Sequence, residues 1–146
     1  KRDFKKNLRM SKQEIKDEYK EMEGNPQIKS ARQQRQRQIA MSRMMSAVPK
    51  ATVVVTNPTH IAVALRYETD KDKAPVVLAK GVDYVANKIK ELAKENNIPI
   101  MENKPLARTM YKDVEIGEYI PVELYKAVAE ILALVHQLRD KNKGKI

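Results

Sequence analysis

The sequence contains no cysteine and only two histidines. Without cysteine there can be no disulfide, no thiolate nucleophile and no cysteine-ligated metal. The two histidines have no cluster of carboxylates at ligand spacing beside them, so we expect no metal site and no cofactor. Any chemistry that the chain performs must come from other residue types.

Long apolar runs are also missing from the chain. None approaches the ~20 residues that a membrane-spanning helix needs, and no signal peptide precedes the mixed sequence that starts at Lys1. We therefore expect a soluble fragment of a longer protein. Its 146 residues, 42% of them hydrophobic and 33% charged, suffice for one ordinary core with a polar extension.

The net charge of +10 is concentrated in the first third of the chain. Residues 1–50 carry 14 lysines and arginines against 6 acidic residues, whereas residues 51–146 carry 15 against 13. Apolar residues recur at helical spacing over residues 4–22, and a second stretch rich in arginine and glutamine follows a break at residues 24–26. The apolar stripe is thin, so we expect an extended, basic helical linker over residues 1–50.

Three functions are open for this linker: a nucleic-acid arm, a membrane-surface segment and a solvated connection. A nucleic-acid arm is the weakest of the three functions, and we expect no nucleic-acid partner. Only Phe4 and Tyr19 could stack on bases, and no known nucleic-acid motif surrounds the arginines. A polybasic stretch is also typical of the cytoplasmic flank of a membrane helix. A solvated charged face is the ordinary explanation.

Past Lys50 the pattern changes to that of an α/β domain. Four short runs have strand composition: ATVVVT, HIAVALRY, VVLAKG and IPIMEN. Three helical segments accompany them: VDYVANKIKELAKENN, KPLARTMYK with Pro105 in its first turn, and PVELYKAVAEILALVHQLRDK. We predict a small central sheet of about four strands surrounded by helices over residues 51–140, with a frayed tail at 141–146.

Two features of this domain can be tested directly. The order strand, helix, strand makes a crossover, which places VVLAKG parallel to IPIMEN in one sheet. The apolar stripes of the two longer helices predict the residues on their inner faces. These are Val82, Val85, Ile89 and Leu92 in the first, and Val122, Tyr125, Val128, Leu132 and Val135 in the second.

Between the first two strand runs the chain reads NPTH, at residues 57–60. On turn statistics an Asn-Pro pair only starts a turn, and a first copy, Asn25-Pro26, lies between two helical stretches. The second copy is followed by Thr59 and His60 and is embedded between strand runs, where a packed sheet can fix its geometry.

Pro58 changes which reaction Asn57 favours. The Nδ2 atom of Asn57 can attack its own backbone carbonyl, which closes a succinimide and expels the proline nitrogen, whereas the competing deamidation needs an N–H that proline lacks. Backbone donors, the Thr59 hydroxyl and the His60 ring suit the remaining tasks of polarising the carbonyl and moving a proton. We therefore predict Asn57, Pro58, Thr59 and His60 as the catalytic residues of a self-cleavage that occurs once per chain. We expect neither a turnover enzyme nor a small-molecule substrate.

Acyl shifts at threonine are the other route to a cut. A shift at Thr56 would cut after Val55, and one at Thr59 would cut after Pro58. No histidine and carboxylate stand at motif spacing to activate either hydroxyl, and neither shift explains the proline.

Five segments give the chain a resemblance to a known family. They are GNPQIK at 24–29, NPTH at 57–60, KGVDYVANKIKELA at 80–93, ENKPLAR at 102–108 and GEYIPVELYKAVAEILA at 117–133. In this order the sequence resembles the cytoplasmic domain of the switch proteins of flagellar and type III secretion export, and within them the flagellar branch. Met110 stands where leucine is more usual.

The resemblance implies a function that composition does not show. Family members have an N-terminal bundle of transmembrane helices, absent here, and a basic linker to a domain that cleaves itself between the Asn and Pro of NPTH and so controls export substrate switching. The implied location is the cytoplasmic face of the bacterial inner membrane. The implied partners are other export-apparatus components, export substrates, the ruler protein and, through the absent helices, the membrane.

A plain interaction domain is the alternative function. In that case the basic domain binds an anionic partner, and Asn57-Pro58 is only a structural turn. Mass analysis under denaturing conditions separates the two, because only self-cleavage divides the chain.

Overall fold

The structure, a computed structural model, describes residues 25–144. The chain divides into two compact units, residues 1–42 and 43–146. Helix α1 is Pro26–Ala47, and its residues 26–42 belong to the first unit, where their side chains are exposed apart from the half-buried Ile28. The helix predicted over residues 4–22 lies outside the described residues.

The second unit has the predicted α/β fold. Its strands are β1 (Val53–Asn57), β2 (Ile61–Arg66), β3 (Val76–Val82) and β4 (Ile100–Glu102), and its helices are α2 (Asp83–Glu95), α3 (Lys104–Asp113) and α4 (Tyr125–Gly144). Short 3-10 turns at Val48–Lys50 and Val122–Leu124 precede β1 and α4. The four-stranded sheet with surrounding helices confirms the prediction.

The strand order in the sheet is β3-β2-β1-β4. The pairs β1–β2 and β2–β3 are antiparallel, and β4 is parallel to β1. β3 and β4 therefore run in the same direction, as predicted, although they lie at opposite edges of the sheet. β1 is an inner strand: it pairs with β2 along its whole length to Asn57, and with β4 from Val54 to Thr56.

Helices cover both faces of the sheet. On one face Val53, Val55 and Val63 pack against α3 and α4. On the other face Val54 and Ala62 pack against α2 and the 3-10 turn that precedes β1. Apolar residues of β2 are therefore buried on both of its faces.

The structure corrects three of the predicted inner-face residues. Val82 is 38% exposed because it is the last residue of β3 and not part of the following helix. Val122 is 71% exposed and Tyr125 42% exposed, because the 3-10 turn interrupts the helical phase and α4 begins only at Tyr125. The other predicted residues are buried or half-buried: Val85, Ile89, Leu92, Val128, Leu132 and Val135.

The boundaries of the second unit extend beyond the predicted ones. Its start at residue 43 takes in the end of α1, where Met44 is buried in the same core as Val48. α4 continues to Gly144, past Asp140, and residues 145 and 146 lie outside the described part of the chain.

Candidate functional site

The four predicted site residues lie together in one tight hairpin. Asn57 ends β1 and pairs with Ile61, the first residue of β2, so the connection consists of the three residues between them. The N–H of His60 donates a hydrogen bond to the carbonyl oxygen of Asn57 at 3.0 Å. Proline has no N–H to give to a strand ladder, which fits the position of Pro58 just outside the paired residues.

Asn57 is the buried member of the turn. It is 7% exposed, whereas the three residues that follow it are exposed. The preceding residue, Thr56, pairs with Ala62 of β2, and its carbonyl accepts the N–H of Asn103 at 2.9 Å, so the chain is fixed from both sides. The sheet therefore holds in place the backbone that leads into Asn57.

The two Asn-Pro pairs use their asparagine side chains differently. The Oδ1 atom of Asn25 accepts the N–H of Gln27 at 2.9 Å, so Asn25 caps α1 and Pro26 occupies its first turn. Among the described residues, the carboxamide of Asn57 has no hydrogen-bond partner, and its polar atoms are not fully buried. The side chain of Asn57, unlike that of Asn25, does not cap a helix.

A carboxylate lies beside the predicted histidine. The Oδ1 atom of Asp83 is 3.5 Å from Nδ1 of His60, and the N–H of Asp83 donates to the His60 carbonyl at 2.9 Å. Ile61 pairs with Val82 across β2 and β3, so the residues just outside that pair are brought together. Asp83 could not be predicted as a site residue from the sequence, because strand pairing, and not motif spacing, places it beside His60.

Helix α2 supplies a second contact to the turn. The Nζ atom of Lys90 donates to the carbonyl oxygen of Pro58 at 3.0 Å. Lys90 follows Asp83 by seven residues, which is two helical turns, so both side chains lie on the same face of α2. No local pattern predicted this contact, because it depends on where α2 packs relative to the hairpin.

Thr59 has no observed contact that would give it the predicted assisting role. It is exposed, and its hydroxyl makes no hydrogen bond within residues 25–144. Its participation in cleavage stays a prediction.

Other features of the described residues bear less directly on the turn. A cavity of about 850 Å³ lies between the segment that follows β2 and α4, lined among others by Tyr67, Pro75 and Leu132, and no NPTH residue borders it. Within residues 25–144 no cluster of three or more potential metal ligands is present. None of the helices in this part of the chain is long and apolar enough to cross a membrane.

Comparisons with known proteins define the class of this protein. The model of the FlhB HrpN YscU SpaS family matches residues 1–135, and the chain belongs to this family. It is similar to the flagellar biosynthetic protein FlhB of Bacillus subtilis, with 55% identity over 139 residues that make up 95% of this chain. Those residues cover 39% of the relative, so the chain spans about two-fifths of its length.

Solved structures of two proteins with matching folds are similar to this chain. The crystal structure of the cytoplasmic domain of FlhB from Shewanella putrefaciens matches with a TM-score of 0.69 and 49% identity, covering 71% of this chain and 80% of that one. A crystal structure of the EscU C-terminal domain with an asparagine-to-aspartate substitution matches with a TM-score of 0.60 and 36% identity, covering 63% of this chain and 98% of that one.

Proposed function

We propose that this chain cleaves itself once between Asn57 and Pro58, by asparagine cyclisation, and that the cut controls which substrates a flagellar export apparatus accepts. Membership of the family supports the role in export. The geometry of the NPTH turn supports the cleavage, and the observation that carries it is the hydrogen bond from the His60 N–H to the carbonyl of the buried Asn57.

In the proposed reaction, Nδ2 of Asn57 attacks the carbonyl carbon of the same residue. The new carbon–nitrogen bond closes a five-membered ring, and the His60 N–H stabilises the negative charge that develops on the carbonyl oxygen. When this intermediate collapses, the bond to the Pro58 nitrogen breaks. The His60 imidazole takes the proton that Nδ2 loses and passes it to the proline nitrogen.

The products balance this chemistry. Residues 1–57 end in a succinimide, which water later opens, and residues 58–146 begin with the secondary amine of Pro58. Since each chain carries one such bond and keeps the products as part of itself, the reaction occurs once per chain. Nδ2 and the carbonyl carbon belong to the same residue, so a fixed geometry would accelerate the reaction by excluding unreactive side-chain rotamers.

The proposed setting follows from the family. The domain works at the cytoplasmic face of the bacterial inner membrane, where a membrane-embedded N-terminal region of the whole protein holds it. Its partners are other components of the export apparatus, export substrates and the ruler protein. The cut alters the surface around the turn and thereby changes which substrates are accepted.

One observation favours the alternative function, a basic interaction domain. α1 carries five basic side chains and no acidic one: Lys29, Arg32, Arg35, Arg37 and Arg43. A helix of this kind attracts an anionic partner without any need for cleavage. Binding of that kind weakens steeply with salt, whereas cleavage within one chain does not depend on a partner.

Intact mass under denaturing conditions tests the proposal. Wild-type chain should give two species, residues 1–57 and 58–146, whereas Asn57→Ala should give one species of 16.8 kDa. Asn25→Ala is the matched control, because it removes the other Asn-Pro asparagine and should leave cleavage unchanged. A wild-type chain that stays intact would leave the interaction domain as the better description.

A further inference from the structure

We propose that helix α2 is a two-point clamp that positions the NPTH turn for cleavage, with Asp83 holding His60 and Lys90 holding Pro58. The inference rests on the proposed self-cleavage and adds two positioning residues to it. Neither residue contacts the bond that breaks. Each acts through a residue of the turn.

Asp83 contacts His60 in two ways. Its carboxylate lies 3.5 Å from the imidazole Nδ1, and its backbone N–H donates to the His60 carbonyl at 2.9 Å. The backbone contact fixes the residue, and the carboxylate draws Nδ1 toward α2, which leaves Nε2 as the ring atom for proton transfer. Because both side chains are largely exposed, the imidazole would otherwise be free to rotate into solvent.

Lys90 holds the residue that leaves. Its ammonium donates to the carbonyl of Pro58, and a hydrogen bond from a charged donor is stronger than one between neutral groups. Pro58 is exposed, so no packing fixes it in place. The lysine therefore limits the orientations of the proline ring relative to Asn57.

Helix α2, which carries both residues of the clamp, is packed firmly against the sheet. α2 follows β3 without an intervening loop, and Ala86, Ile89 and Ala93 bury its inner face against the sheet. The φ angle of Asp83 is 49°, in the left-handed region, which is uncommon for a residue other than glycine, asparagine or aspartate. This sharp turn from strand to helix brings the Asp83 side chain to the hairpin.

Asp83→Asn tests the first contact. Asparagine tolerates the left-handed φ and keeps the backbone N–H, so the variant removes only the charge. The cleavage rate at neutral pH, followed by denaturing mass analysis after synthesis, should fall about fivefold, because a carboxylate attracts the Nδ1–H of His60 more strongly than a neutral amide does. Glu91→Gln is the control, because it removes a carboxylate from the exposed side of the same helix.

Lys90→Met tests the second contact. Methionine keeps the apolar stem and removes the ammonium, and cleavage should again slow by about fivefold because one hydrogen bond is lost. Lys88→Met is the matched control: the Lys88 ammonium lies over the ring of Tyr84, 5.1 Å from its centroid, and does not touch the turn. Thermal midpoints of all variants should stay within the range of the two controls, which separates positioning from unfolding.

A spectroscopic measurement checks that Asp83 acts through the histidine. In the uncut Asn57→Ala chain, nuclear Overhauser effects should join the His60 ring to protons at the start of α2. Asp83→Asn should weaken them and Lys88→Met should not. Failure of the wild-type chain to cleave would remove the proposed function itself. Wild-type cleavage with unchanged rates in Asp83→Asn and Lys90→Met would overturn the clamp alone.

Discussion

The N–H of His60 and the carbonyl of Asn57 are joined by a hydrogen bond of 3.0 Å across the NPTH turn. The same bond closes the hairpin and polarises the carbonyl that cyclisation must attack. The same arrangement is therefore compatible with a structural turn and with the proposed cleavage. The proposed self-cleavage and the alternative interaction domain differ in whether the bond between Asn57 and Pro58 breaks, and several variants measure this.

Pro58→Ala should slow cleavage and change the product. Alanine restores the N–H at residue 58, so deamidation of Asn57 becomes available and competes for the same side chain. Mass analysis should find slower scission together with chains in which Asn57 has become an acid. Equal scission rates and no deamidation would show that the proline does not direct the reaction.

After cleavage the two fragments should stay together. β1 belongs to residues 1–57, but it is paired with β2 and β4 of the other fragment, and Val53, Val54 and Val55 are fully buried. Burying each valine contributes ~1.5 to 3 kcal/mol, and breaking the peptide bond at the end of the strand removes none of these contacts. Native gel filtration should give one peak of about the intact size. Separation in dilute buffer would mean that β1 is not held by the sheet.

Asp72→Asn should lower stability by about 1.5 to 3 kcal/mol, the range for hydrogen bonds to charged groups. Two guanidinium nitrogens of Arg66 donate to the Asp72 carboxylate at 3.1 and 2.9 Å, and the N–H of Glu68 donates at 2.9 Å. Asp70→Asn, at an exposed carboxylate of the same segment, is the control and should change little. Urea denaturation at neutral pH measures the difference.

The Arg66–Asp72 pair should also make stability depend on pH. The hydrogen bonds from Arg66, and then the one from the Glu68 N–H, hold the pKa of Asp72 below its ordinary value of 3.8. The contribution of the carboxylate is thus fully present above 3.8 and is lost as the pH falls through the lower folded-state value. The wild-type thermal midpoint should therefore approach that of Asp72→Asn on acidification. If the difference between the two thermal midpoints stayed the same at all pH values, the Arg66–Asp72 pair would not be the source of the pH dependence.

Gly81→Ala should loosen α2 and slow cleavage. A Cβ at residue 81 would lie 2.6 Å from Cβ of Val85 and closer still to its Cγ1, so α2 must move away from β3 at a cost of about 1 to 3 kcal/mol. Gly117→Ala is the comparison: its cost of about 1 to 2 kcal/mol comes from a φ of 89° and not from a clash. Both should lower the urea midpoint, and only Gly81→Ala should slow cleavage.

The sequence predicted elements more reliably than the contacts between them. The alternation of residues along β2 and the apolar stripe of α2 are local patterns that predict burial. Val63 and Ile89 could therefore be assigned to the core from the sequence alone. Val122 could not, because a 3-10 turn and a helical turn look alike at the start of an apolar stripe. Asp83 was missed for a different reason, since only the register of β2 against β3 brings it to His60.

The identity of the new chain ends tests the cyclisation most directly. Mass spectrometry of freshly produced wild-type chain, with hydroxylamine added to open any succinimide, should find one fragment that ends at residue 57 as a hydroxamate and one that starts at Pro58 with a free amine. Asn57→Ala should give neither. Fragments that end at Val55 or Pro58 would assign the cut to a threonine acyl shift, and an intact wild-type chain would contradict self-cleavage altogether.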